Sequence, residues 1–127
     1  MAGPCSVCDL VRGRPAAPVQ VLHRDRVAVT WLAGAGVVVA PVRHAEAVVG
    51  DFSVDDYLDL QRRVHEVGTA VAAVVPTGRL HVLSQGPHVR WHLIPLPPGA
   101  PDPLPDLAVP PADQDDLAAK VRALLSR

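Results

Sequence analysis

Cys5 and Cys8 are the only two cysteines in the chain, and they stand three positions apart in Cys5-Ser6-Val7-Cys8. Two thiolates at that spacing can grip one zinc ion from a tight turn. The same pair could form a redox couple, or simply pack as two small side chains. Histidine decides how far the metal reading goes, and the chain has six. His44 directly follows an apolar run, in Ala40-Pro41-Val42-Arg43-His44. His88 opens a second run, Pro87-His88-Val89-Arg90-Trp91-His92-Leu93-Ile94-Pro95. A histidine at a strand end has a fixed place, so both can complete a tetrahedral site.

The second run carries chemistry of its own. On a strand, alternate side chains share a face, so His88, Arg90 and His92 are expected to line one face. Val89, Trp91 and Leu93 then point the other way, under a helix. The planar fork of an arginine suits a phosphate or carboxylate. His92 can pair with an acid or carry a proton near neutral pH. The plainer alternative is a solvated strand face with a structural histidine. His23, His65 and His81 read as ordinary. His65 lies beside Arg62, Arg63 and Glu66, which marks a solvated helix face, and His81 falls within a strand.

These groups need elements to hold them. Leu10 and Val11 follow the cysteines and suggest a helical turn after Cys8, before Pro15 and Pro18 break the chain. Residues 19–22 and 27–32 read as strands around the charged turn His23–Arg26. The Ala33-Gly34-Ala35-Gly36 stretch is a flexible connection. Gly36–Val42 is an apolar run suited to a central strand covered on both faces. Ser53 can cap a long helix, with Asp55 and Asp56 at its positive end. Tyr57, Leu60, Val64, Val67, Val71 and Val74 form its apolar stripe, and Pro76 stops it. Two strands follow, Arg79–Ser84 and His88–Pro95, joined through Gln85 and Gly86. Residues 95–112 are too rich in proline for a helix or a central strand and read as an extended arm. A short helix over about Asp113–Ser126 ends the sequence, with Leu117, Val121, Leu124 and Leu125 on one side. Tight hairpins favour antiparallel pairing. The class is therefore α+β, a five-stranded antiparallel sheet with one long helix packed on it, plus the arm and short helix.

Composition bounds the partners. The sequence has 127 residues, enough for one domain, and 49% are hydrophobic. Twelve basic and thirteen acidic residues leave a formal charge of −1, which is no nucleic-acid footprint and no membrane-binding patch. Two cysteines are too few for a disulfide scaffold. No signal peptide or membrane span is visible, so a cytoplasmic protein is expected. The Arg, Ala, Val and Pro bias points to a bacterial origin. Eight of the fourteen prolines lie within residues 95–112. The expected division is residues 1–95 as the metal-binding domain and 96–127 as the arm and C-terminal helix.

In this order, the Cys5–Cys8 pair, the hairpin, the run ending at His44, the long helix and Pro87–Pro95 resemble the histidine triad (HIT) superfamily. The resemblance spans Cys5–Pro95. That family's signature alternates three histidines with apolar residues and ends in two apolar residues, often followed by proline. Zinc-bearing members, and the related galactose-1-phosphate uridylyltransferases, hold zinc at positions that correspond here to Cys5, Cys8, His44 and His88. The resemblance thus implies a structural Zn2+ on those four residues. The middle triad position is the family's nucleophile, and here it is Arg90. A guanidinium stays protonated and has no free lone pair for attack. Two further departures agree. His81–Val89 passes almost directly from strand to strand, where active members carry a longer phosphate-contacting loop. Thr30–Gly36 lacks the acid that holds ribose hydroxyls in the family.

The expected function is a HIT-like zinc-binding protein without nucleotidyl hydrolase or transferase activity. It would bind a small anionic, nucleotide-like ligand through Arg90 and His92, or a protein partner. The alternatives are an enzyme of altered chemistry with His92 as its catalytic residue and Arg90 as anion holder, a residual HIT-type nucleotide hydrolase, or a purely structural subunit. The resemblance also implies a homodimer formed through the long helix and an edge strand.

Overall fold

The computed structural model describes residues 5–34, 36–99 and 114–126. Their elements are α1 (Ser6–Val11), β1 (Val21–Arg24), β2 (Ala28–Ala33), β3 (Gly36–Pro41), α2 (Val54–Val74), β4 (Leu80–Gln85), β5 (Arg90–Pro95) and α3 (Gln114–Leu125). Residues 100–112 of the expected proline arm, and Asp113 at the expected start of the last helix, lie outside the described residues. No helix among the described residues is long and apolar enough to cross a membrane.

The five strands form one antiparallel sheet in the order β1-β2-β3-β5-β4. β3 is buried at all six positions, as a continuous apolar run requires of a strand covered on both faces. Its odd positions, Val37 and Val39, join the larger core with Val89, Trp91, Leu93 and α2. Its even positions, Val38 and Ala40, join a smaller core with Val29, Trp31 and Val7 of α1. The period of two thus separates the layers, with α2 on one side of the sheet and α1 on the other.

Helix α2 begins where its residues dictate. Ser53 Oγ accepts a hydrogen bond from Asp56 N at 3.1 Å, and Asp55 and Asp56 fill the first turn. Leu60, Val64, Val67 and Val71 are buried along the expected stripe, together with Ala70. The extended conformation of Val75, ahead of Pro76, ends it.

The sequence predicts one helix over this face, and the structure has two. Ala118 and Val121 of α3 are buried in the same core, beside α2 and next to β1. Gln20 Nε2 donates to Asp115 Oδ1 at 2.6 Å, and Arg122 donates to the carbonyl of Val21 at 3.3 Å. The reason is width. Five strands span about 19 Å at ~4.8 Å spacing, and one helix covers only about 10 Å.

The first hairpin turn is also later than the sequence suggests, because Asp25 sets it. Its Oδ1 accepts from Val27 N at 2.7 Å and Ala28 N at 2.9 Å, so His23 and Arg24 remain in β1. Its Oδ2 accepts from Arg63 Nε at 2.7 Å and ties the hairpin to α2. Burial pushes the Asp25 carboxyl up, but Arg63 and the two amides outweigh it and hold the group below its ordinary value. A carboxylate depressed in the folded state stabilises above its unfolded pKa, and the gain fades as pH falls through the folded value. Asp25→Asn is expected to cost about 2 kcal/mol at pH 7, the scale of a charge-assisted hydrogen bond. That difference should shrink below about pH 4. Urea denaturation of both proteins at pH 7 and pH 3 checks it.

Candidate metal centre

The cysteines are placed by a helix start. Cys5 is the N-cap of α1, with extended backbone, and its Sγ accepts from Cys8 N at 3.3 Å. The sequence suggests a turn after Cys8. Instead the helix opens between the two cysteines, and one turn brings Cys8 alongside Cys5. His44 follows the end of β3. His88 lies in the turn before β5 rather than on the strand, so only Arg90 and His92 share the strand face.

The four side chains meet. Cys8 Sγ lies 3.2 Å from His44 Nδ1 and 3.5 Å from His88 Nδ1, and Cys5 Sγ lies 3.4 Å from His88 Nδ1. All four candidate ligand atoms fall within 4.8 Å of one another. A tetrahedral zinc with ordinary bond lengths places sulfur and nitrogen about 3.5 Å apart. The two imidazoles stand edge to face, with centroids 4.9 Å apart at 87°.

The outer partners select the ligating nitrogen. His88 Nε2 lies 2.9 Å from the carbonyl of Pro41. A carbonyl only accepts, so Nε2 carries the hydrogen and Nδ1 presents its lone pair to the thiols. His44 points Nδ1 inward in the same way, and Glu46 Oε1 lies 3.6 Å from its Nε2. Burial lowers the pKa of His88, as do the charges of His44 and Arg90, while the Pro41 carbonyl opposes the shift. Neutral imidazole is the metal-binding form. Burial pushes the Cys5 thiol up, but hydrogen bonds led by the Cys8 amide bring it below its usual value. Burial and the hydrogen bond with Cys5 raise Cys8. One sulfur therefore deprotonates ahead of the other. The donor set, its spacing and its backing fit zinc. Four protein ligands leave no position for a reacting water, so such a metal would be structural.

The strand face beside the centre is organised by Arg90. Its Nε donates to His92 Nε2 at 3.3 Å, and Nη1 donates to the carbonyl of His88 at 3.2 Å. Burial lowers the pKa of His92, and the Arg90 charge adds to the shift. In this pair Nε2 of His92 accepts from the arginine. Val89, Trp91 and Leu93 are buried beneath α2, as alternation predicts. His81 pairs across to Ile94 on the same face as His92, and its Nε2 is buried with no hydrogen-bond partner among the described residues. His65 is exposed on α2, and His23 is exposed on β1.

Sequence reasoning brings together the four metal-site residues but misses their supports. The Pro41 carbonyl is backbone and leaves no side-chain signature. Glu46 and Asp51 sit in the loop between β3 and α2, where acids are ordinary. The only available signal is their closeness to His44 in sequence.

No protein-family model matches the sequence, and no curated protein matches it. Solved structures do. The chain is similar to a hypothetical histidine triad nucleotide-binding protein from Sulfolobus tokodaii, with a TM-score of 0.75 and 18% identity, covering 96% of this chain and 92% of that one. It is similar to a zinc-bound histidine triad family protein from Mycobacterium smegmatis, with a TM-score of 0.71 and 18% identity over 96% and 93% of the two chains. A Hit-like protein from Bartonella henselae, described as involved in cell-cycle regulation, gives 0.69 and 18% over 91% and 92%. Matched over nearly the full length of these proteins, the chain has the histidine triad fold.

Proposed function

We propose that this chain is a zinc-stabilised protein of the histidine triad fold. It binds a small anionic, nucleotide-like ligand at Arg90 and His92 and performs no nucleotidyl-histidine chemistry. The observation that carries this reading is the hydrogen bond from Arg90 Nε to His92 Nε2. Arginine in the middle position supplies no nucleophilic lone pair. The nearest lone pair, on His92, is engaged by that same arginine. Arg90 has five N–H donors, of which two are held by His92 and His88 among the described residues, and the others suit oxygens of a phosphate. The zinc-bound neighbour from Mycobacterium smegmatis supports the metal assignment, and the nucleotide-binding name of the Sulfolobus tokodaii protein supports the ligand class. Free thiols at Cys5 and Cys8 suit a reducing, cytoplasmic setting. A homodimer belongs to the same reading.

The test is calorimetric titration with adenosine monophosphate and with inorganic phosphate. Arg90→Ala is expected to weaken binding tenfold or more, the scale of a lost charge-assisted contact. The wild type is expected to leave a nucleoside phosphoramidate intact and to form no nucleotidylated protein by mass spectrometry. Equal binding by Arg90→Ala would remove the anion site. Hydrolysis that disappears in His92→Ala would replace this reading with an enzyme of altered chemistry.

A further inference from the structure

Three of the four metal-site side chains are held by regular structure or its immediate flank. Cys5 and Cys8 belong to the start of α1, and His88 is fully buried with its ring tied to the Pro41 carbonyl. His44 differs. It lies in the segment between β3 and α2, outside any helix or strand, and its side chain is 31% exposed. A side chain on such a segment is imprecise unless the backbone around it is braced.

Two braces flank His44. On the inner side Ala45 is buried, and its carbonyl accepts from Val89 N at 2.7 Å, which joins the His44 segment to the His88 segment. On the outer side stands Asp51. Its Oδ2 accepts from Glu46 N at 2.8 Å and from Ala47 N at 2.9 Å, closing the segment back on itself. Its own carbonyl accepts from Arg43 Nη2 at 2.9 Å, and the Arg43 guanidinium lies 5.3 Å from the centre of the Phe52 ring. Asp51 therefore clamps both sides of His44: Arg43 immediately before it, and Glu46 and Ala47 just after.

We propose that Asp51 is the positioning residue that presents His44 to the metal, by tying the amides of Glu46 and Ala47 and the side chain of Arg43 around that ligand. This rests on the zinc reading above. Asp51 touches no candidate ligand atom and adds nothing to the first coordination sphere. It acts by ordering the segment before metal arrives, so that the ordering entropy is not charged against binding. The carboxylate geometry matters more than its charge, because an asparagine oxygen can still accept from both amides.

The experiment is chelator-competition measurement of zinc affinity on the full chain, for wild type, Asp51→Ala, Asp51→Asn and Asp55→Ala. Asp51→Ala is expected to bind zinc 10- to 100-fold more weakly, the usual effect of losing an outer-shell support. Asp51→Asn should recover most of that loss, and Asp55→Ala should match wild type. Co(II) loading adds a spectroscopic readout. The visible band of a tetrahedral Co(II) site with two sulfurs and two nitrogens should shift and weaken in Asp51→Ala as His44 detaches. Metal-free Asp51→Ala should unfold within a few degrees of metal-free wild type, whereas the zinc-loaded forms should separate. If metal-free stability falls as far as zinc-loaded stability, Asp51 is a fold residue and the proposal is wrong. Zinc affinity within twofold of wild type, with an unchanged Co(II) spectrum, overturns it equally. A wild type that binds no zinc would overturn the metal reading and this inference together.

Discussion

Replacing Cys8 with alanine is expected to abolish zinc binding and lower the thermal midpoint by about 12 to 24 °C. The Cys8 sulfur contacts both His44 and His88, so its loss removes a ligand that touches both imidazoles. A metal that binds only the folded chain adds about 4 kcal/mol when free zinc is a thousandfold above its dissociation constant. For a domain of this size each kcal/mol moves the midpoint by roughly 3 to 6 °C. The damage should be local first. Helix α1 has six residues, well short of the dozen or so that an isolated helix needs. Without metal it is held by buried Val7, with Leu10 and Val11 partly buried against Val29, Trp31 and Val38. Amide exchange should therefore show residues 6–11 losing protection while β3 and α2 keep theirs. Calorimetry with zinc and with chelator tests the claim directly. Chelated wild type should resemble Cys8→Ala, and the variant should ignore chelator. A metal-free wild type with an unchanged midpoint would remove zinc from the account of stability.

Gly36→Ala is expected to be the most damaging change of a single methyl in the sheet. A Cβ on Gly36 would overlap the carbonyl oxygen of Leu93, with Leu93 C at 3.2 Å and Ile94 Cα at 3.3 Å. These are backbone atoms of β5 at the middle of the sheet, so no side chain can swing aside. Overpacking commonly costs 1 to 3 kcal/mol, and a backbone clash between central strands belongs at or above about 3. Gly50→Ala is the control, because its Cβ would meet only Ala47 Cβ at an ordinary 3.9 Å. Urea denaturation should separate the two variants clearly. A Gly36→Ala protein as stable as Gly50→Ala would mean that β3 and β5 can part without cost.

Gly36 also shows what a single chain can and cannot reveal. In the sequence it is one of two glycines in a flexible connection. In the fold its role is close approach by a strand that lies more than fifty positions away, which no local pattern encodes. The readable features were those set by short-range physics. The apolar run of β3, the Ser53 cap and the valine stripe of α2 all follow from period and end chemistry, and the structure agrees with them. The two metal-site cysteines were readable by spacing. Their pairing with His44 and His88 was readable only in part, through strand-end placement, and the resemblance supplied the rest. The sequence marks α3 as a helix but not as a cover for β1, since its docking depends on the width of a sheet assembled elsewhere. In the sequence His88 reads as part of the strand because it alternates with Arg90 and His92. It leaves the strand because the amide of Val89 bonds to the carbonyl of Ala45 instead of to a neighbouring strand.

The contact between Cys5 and His88 spans 83 positions of chain. A metal held there is a cross-link drawn across most of the sheet, and its effect on the denatured ensemble resembles that of a long disulfide. The chain-entropy model gives a covalent link of that length about 4.5 kcal/mol. Order of synthesis sharpens the point. Cys5 and Cys8 leave the ribosome first, as a two-ligand half-site, while His88 does not yet exist. The four-ligand centre can close only after the crossover helix has returned the chain to β3 and the β4–β5 turn has formed. Closure of the four-ligand centre would thus come late in folding, and a metal held by all four residues would report that Cys5 and His88 have met.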